Sequence, residues 1–287
     1  MPEIRVVVSD ELDRYMDTVV QRGMFGSKAE LIRAALIRYF ETLPIRVPKG
    51  YDDTNVFSPD GRVFQVEYAI ESVVRGSTIT GLRYRDGVIL AKERARLNGV
   101  SDYPYILQAP WEDFQVVQHI GMVSAGLAAD FILLKNAALK ESQSLRIETR
   151  EPVGIEELTS RLALFMHSYT TKKDVRPLGC VLLIGGVDRT GCRLFALDPS
   201  GTYKEVLAGS HGSKMKEANN ILKEGYRTDM PFEEALALTI RAVLKEETRK
   251  PEEITASVIE TETKIFRKIT LEEIKEAWKI AFRKKEE

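Results

Sequence analysis

From residue 51 onward the sequence repeats one order: two strand patterns, then two long helical patterns, then strands again. Alternating or continuous apolar runs predict strands over 77–84 and 88–92, 114–120 and 122–125, 179–188 and 192–197, 255–260 and 264–268. Helical spacing predicts helices over 128–142, 155–169, 213–223 and 231–248, with a charged amphipathic helix over 270–287. Short turns join the strand pairs, among them Asp86-Gly87 as a hairpin signal and Asp198-Pro199-Ser200-Gly201. Adjacent strands joined in this way lie antiparallel, and each resulting sheet needs its apolar face covered. The order therefore predicts an α/β fold with two sheets and helices outside, a four-layer αββα sandwich. Ahead of it, Ser58-Pro59-Asp60-Gly61-Arg62 is a turn delivering a helix with Val63, Val66, Ala69 and Val73 on one side.

A break precedes this region. Leu43 to Gly50 holds two prolines and a glycine in eight residues, which favours an extended connector reaching no more than ~28 Å. The predicted organisation is a small domain over 1–43, a linker over 44–50 and a large domain over 51–287. The chain has 287 residues, enough for one large domain or two. It carries 42 Lys plus Arg against 43 Asp plus Glu, so as a whole it is not built to bind a polyanion. The opening residues lack a basic region followed by an apolar one, and the longest apolar run, 180–187, is far below the ~18 residues of a spanning helix. A cytoplasmic chain without membrane contact is expected. Cys180 and Cys192 form no disulfide or metal pattern, and His119, His167 and His211 have no ligand-like spacing, so no metal or cofactor is expected.

In the first domain, Ile4, Val6 and Val8 alternate with Glu3, Arg5 and Val7 as in a short strand. Ser9 precedes a helical pattern through Leu12, Met16, Val19 and Val20, and Ser27 with Glu30 reads as a capping box for a second helix. One strand and two helices in about 45 residues cannot bury a core alone, which implies pairing with another copy. This layout, with Gly26-Ser27-Lys28-Ala29-Glu30-Leu31-Ile32-Arg33-Ala34-Ala35-Leu36, resembles the ribbon-helix-helix family. The resemblance implies dimerisation through the strand. It also implies DNA-facing side chains at Glu3, Arg5 and Val7, with the amides of Ser27 and Lys28 on phosphate. Residues 1–43 hold six basic and seven acidic side chains, so the domain has no cation surplus for phosphate, and dimerisation is favoured over DNA binding.

The large domain carries Phe57-Ser58-Pro59-Asp60-Gly61-Arg62-Val63-Phe64-Gln65-Val66-Glu67-Tyr68-Ala69. It also holds Gly76-Ser77-Thr78, Ser124-Ala125-Gly126-Leu127-Ala128-Ala129-Asp130, Arg176-Pro177-Leu178-Gly179 and Asp198-Pro199-Ser200-Gly201. Together these resemble proteasome α-type subunits, archaeal-like and divergent, with the N-terminal-nucleophile hydrolase fold. The resemblance implies a non-catalytic ring subunit that gates substrate entry and partners β subunits. At the position of the catalytic nucleophile it places Ser77, and at that of its acid Glu93. The lysine position falls on Glu112 or Asp113, whose negative charge opposes alkoxide formation.

A gate cluster is implied at Tyr51, Asp52, Pro59 and Tyr68, where a carboxylate between phenols and a rigid turn forms a hydrogen-bonded lock. An activator pocket is implied at Arg75, Gly126 and the lysine position, again Glu112 or Asp113. A carboxylate facing an activator's C-terminal carboxylate disfavours docking of activator ATPases. The alternative from another class is a DNA-binding or regulatory scaffold that uses the ribbon-helix-helix domain without a β ring.

Overall fold

In a computed structural model, residues 7–23, 25–42, 56–58, 61–94, 113–245 and 248–282 are described. The chain divides into two compact units, 1–50 and 51–287.

In the larger unit, hairpins build two sheets. The first contains β1 (Ile79–Tyr84), β2 (Gly87–Glu93), β8 (Ala208–His211), β9 (Ile254–Glu260) and β10 (Phe266–Lys268), in the order β10-β9-β2-β1-β8. The second contains β3 (Asp113–Val117), β4 (Ile120–Gly126), β5 (Cys180–Asp188), β6 (Gly191–Leu197) and β7 (Tyr203–Glu205), in chain order. Every pairing is antiparallel. Between the sheets lie Ile79, Val88, Leu90, Val123, Val181, Leu183, Leu194 and Ile259. Helices α4 (Ala128–Thr149) and α5 (Ile155–Thr171) cover the outside of the second sheet through Phe131, Leu134, Leu158 and Leu162. Helices α6 (Met215–Gly225), α7 (Phe232–Leu244) and α8 (Leu271–Ala281) cover the first through Leu222, Leu236, Ile240 and Ile274. The layers run helix, sheet, sheet, helix. Strand β5 is buried along its whole length, which is why its sequence is continuously apolar and not alternating. Helix α3 (Phe64–Val74) lies against β4 and β5 and inserts Val73 into the inter-sheet layer.

Several boundaries differ from the sequence expectation. Tyr84 pairs with Gly87, so the hairpin loop is Arg85-Asp86 and Gly87 is a strand residue. A side chain there would run into the Ile259 carbonyl of β9, so this glycine serves close strand approach, not the turn. Helix α4 continues past 142 to Thr149, and Arg150 in a left-handed conformation stops it. Helix α7 ends at Leu244 because Lys245 turns to φ 64°. Strands β7 and β8 have no counterpart in the predicted pattern. Both are short and at sheet edges, built from polar or small residues, and neighbouring strands impose their extended form.

The smaller unit contains α1 (Asp10–Gln21) and α2 (Lys28–Thr42). Ser9 caps α1 by accepting from the Leu12 amide, and Ser27 accepts from the Glu30 amide at 3.2 Å. The return arm of the expected capping box lands one residue early, since Glu30 accepts from the Gly26 amide at 2.8 Å. Of the expected strand, 3–6 lie outside the described residues. Val7 and Val8 are in no strand, as a lone strand without a partner must be. Met16 is buried, whereas Leu12, Tyr15, Leu36 and Tyr39 are exposed.

Candidate functional site

The junction between α3 and β1 is held by hydrogen bonds on several sides. The Gly76 amide donates to Val73 O, and Gly76 O accepts from the Ser213 amide at 2.9 Å. Thr78 O accepts from the Glu93 amide at 2.8 Å, while the Thr78 hydroxyl donates to Ser213 O at 2.8 Å. Ser77 and Glu93 therefore do lie near one another, at the start of β1 and the end of β2. Among the described residues the Ser77 hydroxyl makes no hydrogen bond, so no base is positioned to take its proton.

Asp113, one of the two residues at the lysine position, is the first residue of β3 and its side chain is fully buried. Its Oδ1 lies 3.2 Å from Lys268 Nζ and accepts from the Thr255 hydroxyl at 3.3 Å, tying β3 to the opposite sheet. Glu112 lies outside the described residues. The cation that does approach the junction is Lys245, which helical spacing alone puts inside a helix. Its ammonium donates to the Thr78 hydroxyl at 2.6 Å and to Val243 O at 3.0 Å. Burial lowers the Lys245 pKa and the nearby Glu93 carboxylate opposes that shift. Thr78 is fully buried. Lysine beside its hydroxyl here ties the end of α7 to the start of β1.

Three of the runs singled out in the sequence converge below this junction. Gly126 has φ 117°, and a side chain on it would strike the Gly179 carbonyl; one on Gly76 would strike the Gly126 amide. The Ser72 hydroxyl donates to Gly179 O at 2.8 Å, fastening α3 to β5. Asp130, at the start of α4, receives both Arg176 guanidinium nitrogens at 2.7 and 2.8 Å and the Gly179 amide at 2.7 Å. Burial pushes the Asp130 carboxyl up, but the Arg176 hydrogen bonds and the Gly179 amide together outweigh it and hold the pKa below the ordinary value.

Of the residues expected at a gate, Tyr68 is an exposed residue of α3, and Tyr51, Asp52 and Pro59 lie outside the described residues. Ser58 is buried, and its hydroxyl accepts from the Arg62 amide at 3.0 Å, closing the turn before α3. Of the residues expected at an activator pocket, Arg75 is exposed at the end of α3, Gly126 is packed as described, and the Asp113 side chain is buried. In the smaller unit, the Lys28 ammonium pairs with Asp13 at 2.7 Å and Asp17 at 2.9 Å, so its charge binds α2 to α1. The Ser27 hydroxyl is used as a cap, Val7 is exposed, and Glu3 and Arg5 lie outside the described residues.

Among the described residues no group of three or more His, Cys, Asp or Glu can hold a metal ion, and no helix is long and apolar enough to cross a membrane. Burial pushes the Cys180 thiol up to about 12 and that of Cys192 to about 11, so neither is a thiolate nucleophile near neutral pH.

Comparison with known proteins agrees with this geometry. Residues 73–263 match the family model described as proteasome subunit, and residues 51–71 match the N-terminal signature of A-type proteasome subunits. The proteasome alpha subunit of Methanopyrus kandleri is 40% identical over 224 residues, spanning 77% of this chain and 88% of that protein. That of Methanococcus maripaludis strain C5 is 37% identical over 239 residues, spanning 83% and 91%. That of Methanocaldococcus jannaschii is 37% identical over 230 residues, spanning 79% and 87%. Neither family match extends into the first fifty residues. Carrying that family's α-type signature and matching α subunits over most of its length, the chain is non-catalytic and belongs to the proteasome subunit family.

Proposed function

We propose that the chain is a structural and gating ring subunit of a cytoplasmic proteasome core particle. Residues 1–43 act as a ribbon-helix-helix module, joined by a linker over 44–50, that adds self-association on the pore side. The observation that carries the ring role is the α-type signature over residues 51–71, followed by a helix α3 that is built into the sandwich through Val73 and Ser72. A catalytic subunit would have to discard this helix to free its nucleophile. The module reading is supported by the exposed apolar side chains Leu12, Tyr15, Leu36 and Tyr39, which a second copy would cover.

The test is purification of the chain alone and with archaeal proteasome β subunits, followed by native mass measurement and particle imaging. The expected result is a capped four-layer barrel whose peptidase activity requires β. A small dimer that ignores β would overturn the ring role. Deleting residues 1–45 is expected to change ring stacking or peptide entry, and unaltered behaviour in both would overturn the role of the module.

Within the ring, Tyr51, Asp52, Pro59 and Tyr68 are assigned to the gate, and Arg75, Gly126 and the Glu112–Asp113 pair to the activator pocket. Asp113 is a buried carboxylate already paired with Lys268, and Glu112 is acidic, so neither residue at this position supplies a cation to an incoming carboxylate. Peptides copying the C-terminal tails of activator ATPases are expected to show no saturable binding to the assembled ring. Binding with the affinity seen for an ordinary archaeal α ring would refute this.

A further inference from the structure

Beyond the junction itself, a second set of charges converges on Glu93. Arg249 donates to the Glu93 carboxylate with one guanidinium nitrogen and pairs with Glu253 through another, and all three side chains are about one-quarter exposed or less. The Arg249 carbonyl accepts from the indole nitrogen of Trp278 at 3.1 Å, on α8. Glu253 O accepts from the Arg94 amide at 2.7 Å, just past the end of β2. Glu252 forms an ion pair with Lys275, also on α8, at 3.3 Å. Glu93 meanwhile accepts from the Thr78 amide through its other oxygen, at 3.4 Å. The short run 248–253 is thus tied towards β1 through one carboxylate, and to α8 through an indole and an exposed ion pair.

We propose that residues 248–253 form a strap, closed by Arg249 on Glu93, that shields the α3–β1 junction and opens as a local unit without unfolding the sandwich. The run has almost no apolar anchor of its own, since none of residues 248–253 is buried. The flanking elements differ sharply: α7 ends in buried Val243 and Leu244, and β9 begins with buried Ile254. A segment without buried apolar side chains between two well-anchored elements is held by its polar bonds, and it opens with the low free energy of those bonds. Once Arg249 lets go, Glu93 loses its charged partner and its hold on the Thr78 amide weakens. The strap therefore steadies the start of β1 through Glu93 as well as its own run. This holds for the isolated chain and does not depend on the ring role.

Hydrogen–deuterium exchange on the full chain tests it. The peptides to follow cover 75–80 and 248–256, with peptides from β4 and β5 as internal reference. Arg249→Met and Glu93→Gln are each expected to accelerate exchange in both test peptides by roughly tenfold, from the loss of a charge-assisted hydrogen bond, with the reference strands unchanged. Arg249→Lys, which keeps the charge without the fork, should fall between them and wild type. Unchanged exchange in the test peptides would overturn the proposal. So would acceleration of 248–256 alone, or equal acceleration throughout the unit.

Discussion

Gly126→Ala is expected to prevent stable folding of the larger unit, even though it adds only one methyl group. Two separate costs fall on that methyl. The backbone at Gly126 has φ 117°, a conformation that side chains of L-residues rarely adopt; strain of this kind costs about 1–3 kcal/mol. The added carbon would also overlap the Gly179 carbonyl and approach the Cys180 backbone, which cannot rotate aside as a side chain can. Overpacking against fixed atoms adds about 1–3 kcal/mol or more. Together the two approach the whole stability of an ordinary domain, about 5–15 kcal/mol. Gly191→Ala is the informative control. Its φ is 109°, yet nothing lies within 4 Å of the added carbon, so it carries the strain without the clash. Thermal unfolding should show Gly191→Ala melting a few degrees lower and Gly126→Ala insoluble or without a cooperative transition. Equal melting temperatures for the two would refute the clash as the dominant cost.

The same packing shows what a sequence can disclose. The paired strands and long helices are legible because core strands and amphipathic helices impose periodicity on every residue they contain. The strands β7 and β8 are not, since three or four polar or small residues at an edge carry no period and take their form from neighbours. The runs around Gly126, Asp130, Arg176 and Gly179 stand out by resemblance, but that Asp130 meets Arg176 is a contact between residues 46 apart in sequence. Lys245 is hidden for a related reason. Its approach to Thr78 spans 167 residues, and it depends on a left-handed cap that interrupts an otherwise unbroken helical pattern. A strand beginning near Asp113 is legible, yet nothing local indicates that Lys268, from the other sheet, would meet that carboxylate. Local pattern discloses elements; the side chains that close a site are brought together by topology.

Asp130→Asn is expected to remove one contribution to the unit's acid sensitivity and to lower its stability at neutral pH. In the native chain Asp130 is 6% exposed and accepts three hydrogen bonds, two of them from Arg176 and one from the Gly179 amide. Burial alone would raise its pKa, but these donors prevail and the folded value lies below the unfolded one. The sign follows from linkage: the stabilisation is fully present above the ordinary carboxylate pKa of ~3.9 and is lost as pH falls through the depressed folded value. Asparagine cannot ionise, so it removes this contribution at every pH while keeping one acceptor oxygen. Losing a charge-assisted bond to arginine costs about 1.5–3 kcal/mol. The Asp130→Ala variant also leaves the buried Gly179 amide unpaired, adding about 1–3 kcal/mol. Arg176→Met separates the two parts of the balance. It leaves the Gly179 amide in place but removes the counter-ion, so burial prevails, the carboxyl pKa moves up and the acid transition shifts to higher pH. Melting temperature measured from pH 7 down to pH 3 should therefore show three profiles: wild type falling only at the acid end, Arg176→Met falling earlier, and Asp130→Asn lower at neutral pH but flatter. Superimposed profiles for wild type and Asp130→Asn would refute the assignment of this pair as the clamp that fastens α4 to the start of β5.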